Sequence, residues 1–223
     1  LRSMSQSPLN GVLDAQRAWA AGQGLAVEER GYLADVSSNL LGGLAAATRA
    51  AFEAADGDEL EDRADRPAKM RALISSSALA VNVFQHWAQH DPAPLMTALG
   101  LASAVTKVDF ECRLPTGAQG TPPNLDVVLT LAEGSIVGME CKFTEGMQPS
   151  TKYAASLEPY FRSGPSLWET AGLAACARLA RAVHDGAERF EYLNVPQLLK
   201  HALGLNRARA ASWSLGYVWY DAD

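Results

Sequence analysis

A change in hydrophobic spacing at Lys107 constrains the fold more than any other feature of this sequence. Residues 108–114 alternate strictly between apolar and polar side chains, which is the period of a strand with one buried face. Residues 125–131 and 135–143 predict two further strands, because both are apolar segments of strand length bounded by turn-forming residues. Three such strands in succession predict a meander.

Helical patterns precede these strands. Residues 13–55 are rich in alanine and leucine and predict two or three helices. Residues 68–88 carry apolar side chains at helical spacing and predict one more helix, which ends before Asp91 and Pro92. After the strands, residues 144–165 predict a long irregular segment, and segments of this length are more often functional than accidental.

The last part of the chain predicts further helices and one more strand. Helical spacing returns over residues 166–185. A short helix is predicted over residues 196–203, with Pro196 in its first turn and Gly204 as its end. Large apolar and small residues alternate over 213–219, which predicts a fourth strand.

The order of these elements predicts an α/β fold. Its core consists of a helix, a three-strand meander, further helices and a further strand, and an N-terminal helical extension precedes it. We place the boundary in the Asp56 and Gly57 turn, so that residues 1–57 form the extension and residues 58–223 the core.

Composition narrows the class of protein. Of the 223 residues, 48% are hydrophobic and 20% are charged, which is typical of a globular protein. We find no apolar run long enough to span a membrane, and three cysteines do not make a disulfide framework. We therefore expect no membrane association and a reducing, cytoplasmic location. The net charge of -6 disfavours coating of nucleic acid by bulk attraction, but it leaves a local basic groove open.

One group of residues on the second and third predicted strands carries chemistry. Asp126 lies near the start of one strand, and Glu140 and Lys142 lie on one face of the next, because residues two apart share a face. Carboxylate oxygens suit Mg²⁺, which keeps several waters and accepts phosphate oxygens. An adjacent ammonium group stabilises charge that develops in a transition state. This set predicts phosphodiester hydrolysis, and its structural alternative is a solvated cross-strand charge pair.

Other motifs give no competing activity. The chain has no phosphate-binding loop of the ATPase type and no nucleophile elbow. His86 and His90 have the spacing of a zinc site, but Trp87 stands where the metalloprotease pattern needs a glutamate. We interpret both histidines as ordinary residues at a helix end.

Set on this order of elements, Asp126 and the Glu140, Cys141, Lys142 triplet resemble the PD-(D/E)xK nuclease superfamily. Several blocks also resemble a branch of bacterial restriction-endonuclease-like proteins: residues 75–79, 114–117, 140–145 and 197–201. The resemblance covers about residues 59–220. Asn124 and Leu125 precede Asp126 where the motif's name has a proline, a position that varies widely in the superfamily.

The resemblance implies a role for each matching residue. Asp126 and Glu140 become metal ligands, together with a main-chain carbonyl at Cys141, and Lys142 becomes the catalytic lysine. Glu111, on the polar face of the neighbouring strand, completes the metal shell or simply faces Arg113 and water.

Residues outside the strands extend the predicted site. Gln197, Lys200 and His201 share one side of the short helix, where they contact phosphate or the attacking water, or else form a solvated surface. Superfamily branches with a glutamine and a basic residue on this helix place Gln197 and Lys200 in the catalytic set and His201 among substrate contacts. Five cations are candidates for phosphate contacts, although surface arginines are more often simply solvated: Arg113, Lys152, Arg162, Arg207 and Arg209.

These expectations combine into one function. We expect a Mg²⁺-dependent endonuclease, with Mn²⁺ as a substitute, that hydrolyses phosphodiester bonds of DNA, and by analogy with the family we expect a role in restriction or defence. The alternative is a catalytically inactive module on the same fold that binds nucleic acid or another protein. The N-terminal helices leave a homodimer surface, a recognition domain and a regulatory cap open.

Overall fold

The chain folds as a mixture of helices and strands. The computed structural model describes residues 7–55, 58–149, 154–161 and 164–221. The helices in these ranges are α1 (Pro8–Gly22), α2 (Ala46–Ala54), α3 (Ser76–Phe84), α4 (Ala93–Leu99), α5 (Leu167–Thr170), α6 (Ala174–His184) and α7 (Val195–Arg207). The strands are β1 (Val105–Arg113), β2 (Asn124–Leu131), β3 (Ile136–Lys142) and β4 (Trp213–Trp219). The predicted α/β class is confirmed.

The four strands form one sheet in the order β1-β2-β3-β4. The first three strands pair antiparallel and form the predicted meander. Ile136 N donates to Ser212 O, and Tyr220 N donates to Lys142 O. Residue numbers therefore rise in the same direction along β3 and β4, so this pair is parallel. A parallel neighbour needs a long crossover, which the segment containing α5, α6 and α7 provides.

The chain divides into two compact units. The first contains residues 1–90, 141–148 and 218–223, and the second contains residues 91–140 and 149–217. Strands β3 and β4 each run from the second unit into the first. The division at residue 57 that the sequence suggests remains a prediction.

Each unit has an apolar core of its own. In the first unit Ala20, Leu33 and Leu73 are buried together, and Leu25 and Val27 pack against them. The larger core of the second unit joins α6 and α7 to the segment before α5, and its buried members are Leu157, Tyr160, Trp168, Ala177, Ala180, Val183, Val195, Leu199 and Leu203. This core fixes the position of α7 against its neighbours.

The helix predicted over residues 68–88 is wrong in its first half. Residues Lys69–Arg71 form a 3-10 turn, and α3 begins only at Ser76. The Ser75 side chain accepts a hydrogen bond from Ala78 N, which is the usual N-cap interaction and sets the start of the helix. Met70 and Leu73 are buried all the same, so apolar spacing alone could not locate the helix.

The other helix predictions also need correction. The helix predicted over residues 166–185 is two helices, separated at Gly172, whose φ of 76° lies in the left-handed region. Helix α7 continues through Gly204 to Arg207. Helix α4 lies where we predicted only a stop, because a proline in the first turn, here Pro94, is also compatible with a helix start.

None of the helices in the described ranges has both the length and the apolar character needed to cross a bilayer.

Candidate active site

The register of β2 against β3 brings the two predicted carboxylates together. Val127 pairs with Met139, and Val128 pairs with Gly138. Continued by one residue, this register sets Asp126 opposite Glu140. Directly opposed residues of an antiparallel pair have Cβ atoms about 5 Å apart and lie on the same face of the sheet. The backbone therefore supports the predicted pairing of these two acids.

Glu140 is much less accessible than the sequence suggested. The strand pattern predicted a polar face for Glu140, but its side chain is only 1% exposed. Glu140 Oε2 lies 2.8 Å from His201 Nε2, and the His201 side chain is 2% exposed. We expected His201 among the substrate contacts, a role that the burial of its side chain does not favour. Its position on α7 is buried, and its ring contacts a proposed metal ligand instead.

Packing holds α7 in place on both sides of His201. At the start of the helix, the Asn194 side chain accepts from Gln197 N, which caps the first turn. Trp168 Nε1 donates to Leu199 O at 2.9 Å. At Gly204, an added Cβ would lie 2.9 Å from the main-chain oxygen of Leu114. Only glycine permits so close an approach, which explains why Gly204 lies inside the helix rather than at its end.

Gln197 and Lys200 are half-buried rather than fully solvated. Gln197 Oε1 accepts a hydrogen bond from Asn194 Nδ2, so its side chain takes part in the cap of α7. The Lys200 ammonium lies 5.7 Å from the centroid of the Tyr160 ring. Burial lowers the pKa of Lys200, because the charged form loses hydration there. Lys200 is thus a cation in partly apolar surroundings.

Glu111 has a role at the edge of the sheet that the sequence did not indicate. Its φ of 51° is left-handed, which is uncommon for a residue other than glycine. The pairs on either side of it, Phe110 with Val127 and Cys112 with Leu125, set Glu111 opposite Asp126. Glu111 Oε2 nevertheless accepts a hydrogen bond from Asn124 Nδ2.

Asn124 also connects this edge to Arg113. Asn124 Oδ1 accepts from Arg113 Nε at 3.0 Å, and Asn124 Nδ2 donates to Glu111 at 2.9 Å. Arg113 is otherwise exposed, as a phosphate contact requires. The Asn124 side chain thus links Glu111 and Arg113 of β1 to β2.

Lys142 is the last residue of β3, two positions after Glu140. It is half-buried, and its carbonyl accepts from Tyr220 N, which fixes the end of the strand. Cys141 between them is fully buried, so its thiol is not offered to solvent, although its main-chain carbonyl was the predicted ligand. The strand thus carries the predicted acid and lysine at the spacing the sequence indicated.

A hydrogen-bonded loop follows β3 in the first unit. Ser76 Oγ donates to Glu145, and Phe143 N and Thr144 N both contact the same carboxylate. Ser76 Oγ also accepts from Phe143 N at 2.9 Å. The serines before and in α3 therefore serve as a cap and as hydrogen-bond partners.

The predicted metal ligands form a small donor set. Over the described part of the chain, no three or more His, Cys, Asp or Glu side chains lie close enough to hold a metal ion. Glu111 is therefore not gathered into a third ligand. Mg²⁺, however, is commonly bound through only one or two carboxylates and keeps several waters. Asp126 and Glu140, opposed in register, fit such a site.

Two of the predicted phosphate contacts fall outside the described residues. These are Lys152 and Arg162. Of the predicted site residues that are described, the fold brings Asp126, Glu140 and His201 into one region of the second unit. The contribution of His201 was missed because helix periodicity does not reveal which neighbour covers a face.

Comparison with known proteins identifies the family. Residues 32–223 match the model of a family described as Restriction Endonuclease associating with ARP. The chain belongs to this family. No curated protein and no solved structure matches the chain. The family match covers the whole meander and all of α3 to α7, so it supports the restriction-endonuclease-like reading of the core.

Proposed function

We propose that this chain is a metal-dependent endonuclease that hydrolyses phosphodiester bonds of DNA, in restriction or defence against foreign DNA. One observation carries the proposal. In a chain of a restriction-endonuclease family, the β2–β3 register opposes Asp126 to Glu140, and Lys142 follows two residues later on the same strand. Each of these residue types has a defined use in phosphodiester hydrolysis.

Asp126 and Glu140 hold the metal in this proposal, with the main-chain carbonyl of Cys141. Mg²⁺ or Mn²⁺, when bound, lowers the pKa of a bound water and offsets phosphate charge. Burial of Glu140 strengthens its attraction for a cation, because less water screens the charge. The two carboxylates together match the charge of a divalent ion.

Lys142 orients the attacking water in the proposed reaction. Its Nζ donates a hydrogen bond to that water and stabilises the negative charge that builds on the phosphate oxygens. Lys200 and Arg113 contact neighbouring phosphates, and Gln197 helps to position the substrate. Phosphate contacts of this kind position a nucleic acid without reading its sequence.

A cleavage assay tests the proposal. Supercoiled plasmid, linear duplex, single-stranded DNA and RNA are incubated with the purified chain in Mg²⁺, Mn²⁺ or EDTA. The variants are Asp126→Ala and Lys142→Ala. Lys107→Ala is the matched control, because Lys107 lies on the same sheet and its ammonium pairs with Asp109 at 2.9 Å.

We expect metal-dependent cutting of DNA by the wild type and by Lys107→Ala, and loss of cutting in the other two variants. Cutting of RNA but not of DNA would support the proposed site and contradict DNA as its substrate. Cutting in EDTA, or by Asp126→Ala, would reject the site. Absence of cutting by the wild type on every substrate would favour the inactive binding module.

A further inference from the structure

The contact between His201 and Glu140 has no counterpart in the proposed reaction. Their side chains are 2% and 1% exposed, and His201 Nε2 lies 2.8 Å from Glu140 Oε2. We propose that His201 is a positioning residue, which fixes the Glu140 carboxylate in one orientation for the cation. This inference rests on the proposed function, because it assumes that Glu140 is a metal ligand.

The burial of Glu140 gives the contact its physical importance. Removing a carboxylate from water is costly unless polar partners compensate for the lost hydration. At 2.8 Å from the Glu140 carboxylate, the His201 imidazole supplies a polar contact that replaces part of the lost hydration. His201 therefore lowers the cost of holding Glu140 inside the protein.

Rigid packing makes His201 suitable for this role. Trp168 binds the main-chain oxygen of Leu199, two residues before His201. Gly204 approaches Leu114 closely three residues after it, and Leu205 packs against Leu125 on the strand that carries Asp126. These contacts fix the backbone of α7 on both sides of His201. A preorganised ligand binds a metal more tightly, because less orientational freedom is lost on binding.

Side chains that contact and orient metal ligands have measurable effects on metal binding. Their removal typically lowers metal affinity by about 10–100-fold. His201 should show an effect of this size although it does not itself bind the metal. A glutamine at this position keeps an N–H donor on a side chain of similar reach, whereas leucine and alanine remove the donor.

A second histidine–glutamate pair provides the matched control. His184 Nε2, on α6, lies 3.2 Å from Glu158 Oε2, but the two side chains are 25% and 67% exposed. Exposed ion pairs contribute little to stability. The same substitution at His184 therefore changes the chemistry of a His–Glu pair without changing the proposed site.

The experiment measures Mn²⁺ binding by isothermal titration calorimetry, without nucleic acid. The proteins are the wild type, His201→Gln, His201→Leu, His201→Ala and His184→Leu, each checked for folding by circular dichroism. We expect Mn²⁺ affinity to fall about 10–100-fold in the two donor-free His201 variants. His201→Gln should recover most of the loss, and His184→Leu should bind as the wild type does.

The outcomes separate this inference from the proposed function. Wild-type affinity in a folded His201→Leu or His201→Ala overturns the positioning role and leaves the metal site intact. Equal weakening in His201→Gln also overturns it, since only the space filled by the ring would then matter. If the wild type binds no Mn²⁺, the proposed function fails, and the positioning role fails with it. Two donor-free variants are used so that poor folding of one leaves the other to decide.

Discussion

Acidic side chains gather in two regions of this molecule, and their surroundings differ. In the first unit, the segment before α3 carries acids that face arginine and lysine. Asp58 contacts Arg63 and Arg66, and Glu59 contacts Lys69 and, through Ser77, the first turn of α3. Asp58 and Glu59 are thus each matched by at least one permanent cation.

Arg71 is the centre of this first region. Its guanidinium binds both oxygens of Asp62 at 2.8 and 2.9 Å, and it also binds Glu28. Arg71 Nε donates to Leu33 O at 2.8 Å. The arginine therefore ties three segments of the first unit together. A region built in this way has a sufficient structural explanation.

The second region, on β2 and β3, has different chemistry. The β2–β3 register, continued by one residue, sets Asp126 opposite Glu140, and a buried histidine contacts Glu140. The comparison teaches that a high local count of acids does not distinguish a structural charge network from the proposed metal site. Burial and the type of partner separate the two regions better, and the following predictions test that separation.

The largest difference between the regions should appear in activity. Asp126→Asn and Glu140→Gln should each lower DNA cleavage by about a thousandfold, because loss of metal binding removes several kcal/mol of transition-state stabilisation. Asp62→Asn, a matched change in the first region, should retain cleavage. The measurement is the initial rate of plasmid cutting at saturating Mg²⁺. A loss in Asp62→Asn equal to that in Asp126→Asn would contradict the comparison.

A substitution in the first region should lower the free energy of unfolding rather than the cleavage activity. Arg71→Met should lower the free energy of unfolding by about 2–3 kcal/mol, because hydrogen bonds to charged groups are lost around a side chain that is 11% exposed. Arg49→Met removes an exposed pair with Glu53 at 4.0 Å and should cost less than about 0.5 kcal/mol. Urea unfolding compares the two. Equal losses would mean that Arg71 is no structural centre.

A glycine in a tight helix contact and one on an open helix surface should respond oppositely to an added methyl group. Gly204→Ala should destabilise the protein by about 1–3 kcal/mol, since its Cβ would press on the Leu114 backbone. Gly11→Ala, in α1, meets no atom within 4 Å and should stabilise by about 0.5–1 kcal/mol through helix propensity. Thermal unfolding gives both signs. If Gly204→Ala leaves the stability unchanged, α7 is free to shift away from Leu114.

The smallest expected effect concerns pH. A hydrogen bond from Ala68 N, and then Arg71, hold the pKa of Asp62 below its usual value of 3.8. A lowered carboxyl pKa stabilises the folded state above pH 3.8, and this contribution is lost as the pH falls through the lowered pKa. Wild type should therefore lose its stability advantage over Asp62→Asn in acid. An advantage that persists unchanged at pH 2 would be inconsistent with this assignment.

Much of the sheet could be predicted from the sequence. Period-two alternation located β1, and β2 and β3 begin and end within one residue of their predicted bounds. This succeeded because alternation and turn residues are local signals. The start of α3 could not be located in this way. Met70 and Leu73 continue the apolar spacing and are buried, but they lie in the non-helical segment before the helix.

The candidate site was only partly predictable for a related reason. Asp126, Glu140 and Lys142 are recognised by spacing along adjacent strands. His201 is separated from Glu140 by 61 positions in sequence, and its contact depends on how α7 packs. Gly204 was interpreted as a helix end, whereas its role is the close approach to Leu114. Tertiary contacts of this kind leave no periodic signal.

Localised cutting of the chain by a bound metal tests the central claim most directly. Fe²⁺ replaces Mg²⁺, and ascorbate with peroxide then generates hydroxyl radicals that cut the backbone beside the bound ion, with the fragments read by mass spectrometry. We predict cuts clustered near residues 126 and 140 that disappear in Asp126→Asn. Cuts confined to residues 58–71 would contradict the account, because the metal would then occupy the region assigned a purely structural role.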